Sequence, residues 1–394
     1  MHNAYERNIF LYGILKIFTK RVFLPVTTVY LVLVGHLSVP QIGILAAVSA
    51  VVSLLSEIPT GYLADRLTRR AALIMCGLLA AIGTLFYAFW PQFPGAVIAT
   101  VFDALGYSFL SGAAEALIHD SLVILKRSHD YPRVVGRAQS FGLMGNVVLV
   151  ALIPLTYEIN PRVPFLFGTL AYLSLIGVAM AITEPPRTKM VQTVNPAHDL
   201  AINLHRFVSR SSLLFFICVG IISALNTTSS DFTNLVFKDL GLKPSMFGLV
   251  FAGGSIVGII GGFYIHHLRK LKALTYTWID TLVFSGFFLI IGLGRNLTLV
   301  IISFALYMGF WRLRAIMYQH YLLQIFGRDH YKATLISTLN FFIRCNEVWL
   351  PTIFVISTTR LGYYHGYNVI GVATLVCMLP LFWLAIKLFD PKSQ

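Results

Sequence analysis

Charge is scarce in this sequence. Only 12% of its 394 residues are Asp, Glu, Lys or Arg, about half the roughly 25% of a soluble globular domain. So little charge argues for lipid surroundings. Cysteine is scarcer still: Cys76, Cys218, Cys345 and Cys377 all lie inside apolar runs. They have no metal-ligand spacing and read as small core residues rather than disulfides or zinc ligands, so no metal is expected. No Walker loop is present, which excludes ATP as the energy source. There is no catalytic cluster and no sizeable soluble domain; His119-Asp120 and His266-His267 are isolated pairs at helix ends. An enzyme or a receptor is therefore not expected, and nothing calls for a cofactor. Nor does the start read as a cleavable leader. Met1 to Arg7 is short and polar, and the first apolar run carries Lys16, Lys20 and Arg21, which a signal core would not tolerate.

Apolar residues, by contrast, make up 57% of the chain. They gather in runs of roughly 20, long enough to cross a bilayer core of about 30 Å. Runs bounded by charge or by Pro and Gly give twelve spans, at 8–33, 40–60, 71–91, 95–118, 136–157, 163–183, 211–236, 245–266, 273–293, 297–323, 333–357 and 364–388. An even count puts both termini on one side. The net charge of +14 is not one basic patch, which argues against nucleic acid; the basic residues stand in short clusters between apolar runs. With a cytoplasmic amino terminus, 19 of the 30 Lys and Arg residues fall on the cytoplasmic side. Five fall on the other: Arg162, Lys238, Lys243, Arg295 and Arg360. By the positive-inside rule, this asymmetry predicts that both termini are cytoplasmic.

One connecting segment is longer than the rest. Glu184 to Arg210 is polar and carries Pro185, Pro186 and Pro196. It divides the chain into six-span bundles at 1–183 and 211–394, joined by a cytoplasmic linker at 184–210. Its second part, Ala197 to Ser209, has the pattern of a short amphipathic surface helix, and its composition is that of a plain tether. The halves also resemble each other at an offset near 201 residues. Gly61-Tyr-Leu-Ala-Asp65-Arg66-Leu-Thr-Arg69-Arg70 follows the second span, and Gly262-Phe-Tyr-Ile-His266-His267-Leu-Arg-Lys270 follows the eighth. Each is a glycine at a helix end followed by a tight basic loop. Parallel repeats of this kind occur in transporters that rock two halves about a midplane site.

The first of these loops resembles the signature of the major facilitator superfamily, G-x-L-A-D-R-x-G-R-[KR], at the place where that superfamily carries it. Thr68 departs from the pattern, where the family has a second glycine. With the twelve spans, the linker and the repeat, the resemblance covers the whole chain. It implies an all-α membrane protein of twelve helices in two six-helix pseudo-repeat bundles, with spans one, four, seven and ten around a central cavity. It also implies that Asp65 faces the amino end of span eleven, where the helix dipole favours an anion. Arg69 or Arg70 is then within reach of Asp120 at the end of span four. Gly61, Asp65, Arg66, Arg69, Arg70 and Asp120 would form a gating motif that latches one conformation; the plainer reading leaves the arginines as topology signals. The drug-antiporter signature of span five, G-x-x-x-G-P-x-x-G-G, is not present, since Gly142, Gly145 and Pro154 lack its spacing.

Ionisable groups at bilayer depth cost at least ~2.5–3.5 kcal/mol each on insertion scales. Six basic residues (Lys16, Lys20, Arg21, Arg312, Arg314, Arg344) and six acidic ones (Glu57, Asp103, Glu115, Asp231, Asp280, Glu347) fall inside the spans, so many must neutralise each other. On a continuous first span Lys16 and Lys20 share a face, with Arg21 about 100° round. On the fourth, Asp103, Tyr107, Ser111, Glu115 and His119 form an unbroken polar ridge. On the tenth, Tyr307, Trp311 and Arg314 lie on one side and Arg312 points nearly the opposite way. Arg344 and Glu347 share a stripe on the eleventh, where mutual pairing and a ligand role are both open. Asp280 reads as an interfacial partner of Arg269 or Lys272, and Glu57 as part of a structural pair.

Lys20, Arg21, Tyr107, Tyr307, Trp311, Arg314 and Arg344 are thus the candidate substrate contacts. Lys20 and the arginines would hold an anionic group, Arg by a bidentate fork, and the aromatic residues would supply apolar walls. Glu115 is the first candidate proton carrier and Asp103 the second, because a carboxyl in a partly dehydrated cavity is suited to carrying a proton. The competing reading makes Glu115 a structural partner of Lys20. The expected function is secondary, proton-coupled transport of a small charged or zwitterionic solute by alternating access. The protein would act as a monomer in the cell (inner) membrane, its partners being the solute, protons and the lipid bilayer. The alternative is a multidrug or metabolite efflux pump on the same fold, against which six basic residues at depth argue.

The orientation has a direct check. With Thr193→Cys as the only reactive position, an impermeant maleimide should label the linker in inverted vesicles and not in intact cells; labelling of intact cells would refute the topology.

Overall fold

Hydrocarbon offers the backbone no hydrogen-bond partners, so an apolar chain satisfies its N–H and C=O groups internally, as helix. The computed structural model describes residues 2–110, 113–186, 210–326 and 332–387, and among them no residue is in a strand. The helices are α1 (His2–Phe18), α2 (Leu24–Leu33), α3 (Val39–Arg66), α4 (Arg69–Phe89), α5 (Phe93–Leu110), α6 (Ala113–Ile124), α7 (Tyr131–Leu152) and α8 (Val163–Ala181). After the linker come α9 (Arg210–Asp239), α10 (Phe247–Phe263), α11 (Ile265–Leu268), α12 (Ala273–Leu293), α13 (Leu297–Phe326), α14 (Lys332–Leu361) and α15 (Tyr363–Lys387). Among the described residues 11 segments are long and apolar enough to cross a membrane, α5 and α6 counting as one.

The expected first span, 8–33, is not a continuous helix. It is α1 and α2, separated by residues 19–23. Pro25 has no N–H to bond the carbonyl of Arg21, and its ring crowds that carbonyl out of helical geometry. The adjacent charges of Lys20 and Arg21 add a reason to leave the helix there. Thr19 closes the end of α1 by donating its hydroxyl to the Lys16 carbonyl at 3.0 Å. The face assigned to both Lys16 and Lys20 therefore ends at Phe18. At the other end of the fold, Gly362 takes φ +80° to turn the chain from α14 into α15, a conformation that favours glycine.

Helix contacts divide the chain into two compact units, Met1–Leu37 with Val51–Thr193, and Ser38–Ala50 with Val194–Gln394. In the first, α4 packs on α5 and α8, and α1 packs on α7. Small residues allow these backbones to approach closely. A Cβ on Gly106 of α5 would stand 2.9 Å from both the Cys76 carbonyl oxygen and the Ala80 amide nitrogen of α4. In the second unit α9 packs on α14, α12 on α15, and α10 on α13. The pairings α1–α7 and α4–α8 of the first unit recur here as α9–α14 and α12–α15, so the sequence repeat is also a repeat of packing.

The second unit has a polar core. Arg314 Nε donates to Asp280 Oδ1 at 2.8 Å, and Tyr318 donates its hydroxyl to Asp280 Oδ2 at 2.6 Å. Asp280 is 0% exposed and Arg314 2%. Aromatic rings enclose the pair: the guanidinium lies 5.5 Å from the Phe284 ring, and Tyr318 stacks on Phe382 and meets Phe215 edge-on. The expected pairing of Asp280 with Arg269 or Lys272 is thereby corrected. Asp280 stands two turns inside α12, beside α13 rather than at the membrane surface. Tyr307, expected to line a cavity, is buried and stacked on Phe287 at 4.2 Å.

Removing one partner of a buried pair strands the other charge, at about 3–5 kcal/mol. Asp280→Asn should accordingly lower the melting temperature of the purified protein by several degrees. The double change with Arg314→Met should recover most of the loss. An Asp280→Asn protein that melts with the wild type would show that the pair does not hold the unit together.

Candidate functional site

The break between α1 and α2 sets the geometry of the charged cluster in the first unit. Arg21, at the break, places Nη2 3.0 Å from Asp103 Oδ2 on α5. Its guanidinium also sits 4.3 Å from the ring centroid of Tyr107, which is exposed, so the charge has a carboxylate and an aromatic face as neighbours. One turn below the break, Lys16 donates to Glu115 Oε1 on α6 at 2.5 Å, with its ammonium 5.1 Å from the Tyr12 ring. The structural partner proposed for Glu115, Lys20, is thus corrected to Lys16. The reason is the break, which takes Lys20 off the α1 face. Of the expected ridge on span four, Asp103 and Tyr107 lie on α5 and Glu115 and His119 on α6. Ser111, between them, lies outside the described residues.

The two ends of the Lys16–Glu115 pair differ in exposure. The lysine side chain is 9% exposed and the glutamate side chain 36%. Removing the charge of that carboxylate would leave the buried lysine in need of another anion.

In the second unit Arg344 donates from Nη1 to Glu347 Oε2 at 2.8 Å, and Thr227 of α9 donates to Glu347 Oε1 at 3.1 Å. Both oxygens of Glu347 are therefore engaged, while the Arg344 side chain is 44% exposed. Trp311 is half-buried on α13. Of the expected substrate contacts, Arg21 and Tyr107 come together; Arg344 stands by itself with Glu347; Arg314 and Tyr307 belong to the interior of the second unit. Lys20 lies half-buried at the break.

At the end of the first unit that carries the signature loop, Arg69 Nε lies 3.0 Å from Asp120 Oδ2. Thr68, where the family has glycine, caps α4 by accepting from the Ala71 N–H at 3.0 Å. Gly61, Asp65 and Arg66 fall in the last turns of α3, and their side chains lie outside the described residues, as does that of Glu57. Two contacts here were missed in the sequence. Glu184 accepts the backbone N–H groups of Arg69 and Arg70, each at 2.9 Å, where the α4 dipole favours an anion. Asn8 donates to Ser121 Oγ and to the Thr183 carbonyl and accepts from the Thr183 N–H. The only cue for either was a polar residue at the end of an apolar run.

Comparison with known proteins agrees with this architecture. The Major Facilitator Superfamily model matches residues 9–345. An uncharacterised MFS-type transporter of Bacillus subtilis (strain 168), YxaM, is 22% identical over 377 residues, covering 94% of this chain and 93% of that one. Lactose permease of Klebsiella oxytoca is 22% identical over 260 residues, 60% of each chain. The nitrite extrusion protein of Bacillus subtilis (strain 168) is 23% identical over 262 residues, 64% of this chain and 63% of that one. Among solved structures, the nucleoside transporter NupG superposes with a TM-score of 0.79 at 12% identity, covering 98% of this chain and 99% of that one. A bacterial homologue of the human lysosomal transporter Spinster gives 0.72 at 14%, covering 98% of each. An all-helical, multi-span fold, a signature loop at the foot of α3 and a family match over most of the length lead to one conclusion: the chain belongs to the Major Facilitator Superfamily of membrane transporters.

Proposed function

We propose that the chain is a twelve-span, proton-coupled secondary transporter of a small charged or zwitterionic solute, acting as a monomer in the cell membrane with both termini cytoplasmic. The twelfth span is the broken pair α1–α2, and the bundles are 1–183 and 211–394, tethered by 184–210. The observation that carries the coupling is the Lys16–Glu115 pair, with its buried base and partly exposed acid. Lys16 requires one anion beside it. While Glu115 is ionised it supplies that anion; once protonated, it yields the place to an anionic group of the solute. Proton and solute are thereby linked through competition for one cation. Arg21 and Arg344 hold further anionic oxygen, Tyr107 and Trp311 give apolar walls, and Asp103 is the second proton candidate. Lys20 acts at the break, near Arg21. In this reading Arg314 and Tyr307, both buried, belong to the scaffold instead. The Arg69–Asp120 contact, with Asp65, is the latch of the gating motif.

The names of the relatives do not decide the solute. By name the nitrite extrusion protein handles an inorganic anion and the lactose permease a neutral sugar. The charged reading rests on the ion pairs. A thermal-shift screen of anionic, zwitterionic and cationic metabolites at two pH values should identify the solute.

With that solute in proteoliposomes, Glu115→Gln should abolish transport driven by a pH gradient and leave gradient-independent exchange intact. If the pair is only structural, Glu115→Gln should lose melting temperature and exchange together, and adding Lys16→Met should restore stability. Full gradient-driven transport in Glu115→Gln would exclude both roles and move the coupling to Asp103.

A further inference from the structure

Four of the six deep basic residues meet a carboxylate: Lys16, Arg21, Arg314 and Arg344. Arg312 meets none among the described residues. It lies on α13 two residues from Arg314, about 200° round the helix, so its side chain points away from the Asp280 network and toward α10. There Nη2 donates to Ser255 Oγ at 2.8 Å. Ser255 is neutral, and its own hydroxyl donates to the Phe251 carbonyl at 2.9 Å. Arg312 Nε is enclosed and has no hydrogen-bond partner. The seat is shaped to the side chain. Gly258, one turn along α10 from Ser255, lies against the arginine stem, and a Cβ there would come within 2.5 Å of Arg312 Cδ.

A half-buried guanidinium at bilayer depth, seated against glycine and bonded to a hydroxyl, has no carboxylate beside it among the described residues. Such a group is costly. Had the position served packing alone, an apolar side chain would serve it at lower cost. A planar fork with unengaged N–H groups is suited to bidentate recognition of oxyanions. We propose that Arg312, positioned by Ser255, is an oxyanion-binding site that takes a carboxylate or phosphate group of the transported solute. This rests on the transport reading and narrows it to solutes that carry such a group. Arg312, rather than the enclosed Arg314, is then the ligand-binding arginine of α13.

The test uses the full chain, purified in detergent and heated with millimolar sodium succinate, sodium acetate or sodium phosphate, with sodium chloride at matched ionic strength as control. At least one oxyanion should raise the wild-type melting temperature by about 2–4 °C over the control. Arg312→Lys should keep part of the rise and Arg312→Gln none. Without added anion, Arg312→Gln should be at least as stable as the wild type, because no partner is stranded. A lipid phosphate offers the same chemistry, so the proteins are also compared in nanodiscs of phosphatidylglycerol and of phosphatidylcholine. A rise confined to phosphatidylglycerol, and absent in Arg312→Gln, would overturn the solute assignment and give the site to a headgroup. No rise with any anion, an equal rise in Arg312→Gln, or an Arg312→Gln protein that is itself destabilised would overturn the site. None of these failures touches the transport reading, whose coupling is tested separately at the Lys16–Glu115 pair.

Discussion

A charge in hydrocarbon must find a counter-charge. Much of this structure follows from that one requirement. Each deep carboxylate with a described partner ties its helix to another: Asp103 joins α5 to the break at Arg21, Glu115 joins α6 to α1, Asp280 joins α12 to α13, and Glu347 joins α14 to α9 through Thr227. Lipid tails are as apolar as leucine side chains, so helix association in a membrane gains little from hydrophobicity; packing and polar contacts decide which helices meet. The ion pairs therefore specify neighbours that apolar surface alone leaves undetermined.

Burial separates these pairs by role. Asp280 and Arg314 are sealed among aromatic rings, with Tyr318 taking the second carboxylate oxygen. Both oxygens of that carboxylate are bonded and the pair is enclosed, which suits it to holding α12 against α13. Glu115 and Arg344 are the more exposed members of their pairs. Arg312 stands outside both classes. Its hydroxyl partner orients it, and among the described residues no carboxylate compensates its charge, which is the condition under which an external anion gains the most.

Much of the fold was legible in the sequence because span length, loop charge and the signature loop are each local patterns. The ionic partners were less legible. Helical spacing correctly put Arg312 and Arg314 on opposite sides of α13, yet it paired Asp280 with surface bases, because spacing within one helix says nothing about which helix lies alongside. Pairing Glu115 with Lys20 failed for a different reason. Two adjacent charges ahead of Pro25 end α1, and a continuous helix was assumed through them. Thr68 read as a departure from the family pattern until its capping bond to Ala71 gave it a function of its own. Glu184 is marked in the sequence only as a polar residue at the end of an apolar run, which does not show that it reaches back to the start of α4.

The repeat adds a last step. The helix pairings α1–α7 and α4–α8 recur in the second unit, at the offset near 201 residues. The charges do not recur. In the second unit the buried ion pair joins α12 to α13, whereas in the first the ion pairs join α5 to the break at Arg21 and α6 to α1. Packing of helix on helix depends on shape, and small or apolar residues of similar volume preserve it. An ion pair depends on two particular side chains, and losing both together leaves the packing intact while losing one does not. Pairs can therefore be gained and lost whole within either unit, with the shared backbone arrangement unchanged. In this chain the repeat predicts which helices touch, and the chemistry of each unit has to be read from its own residues.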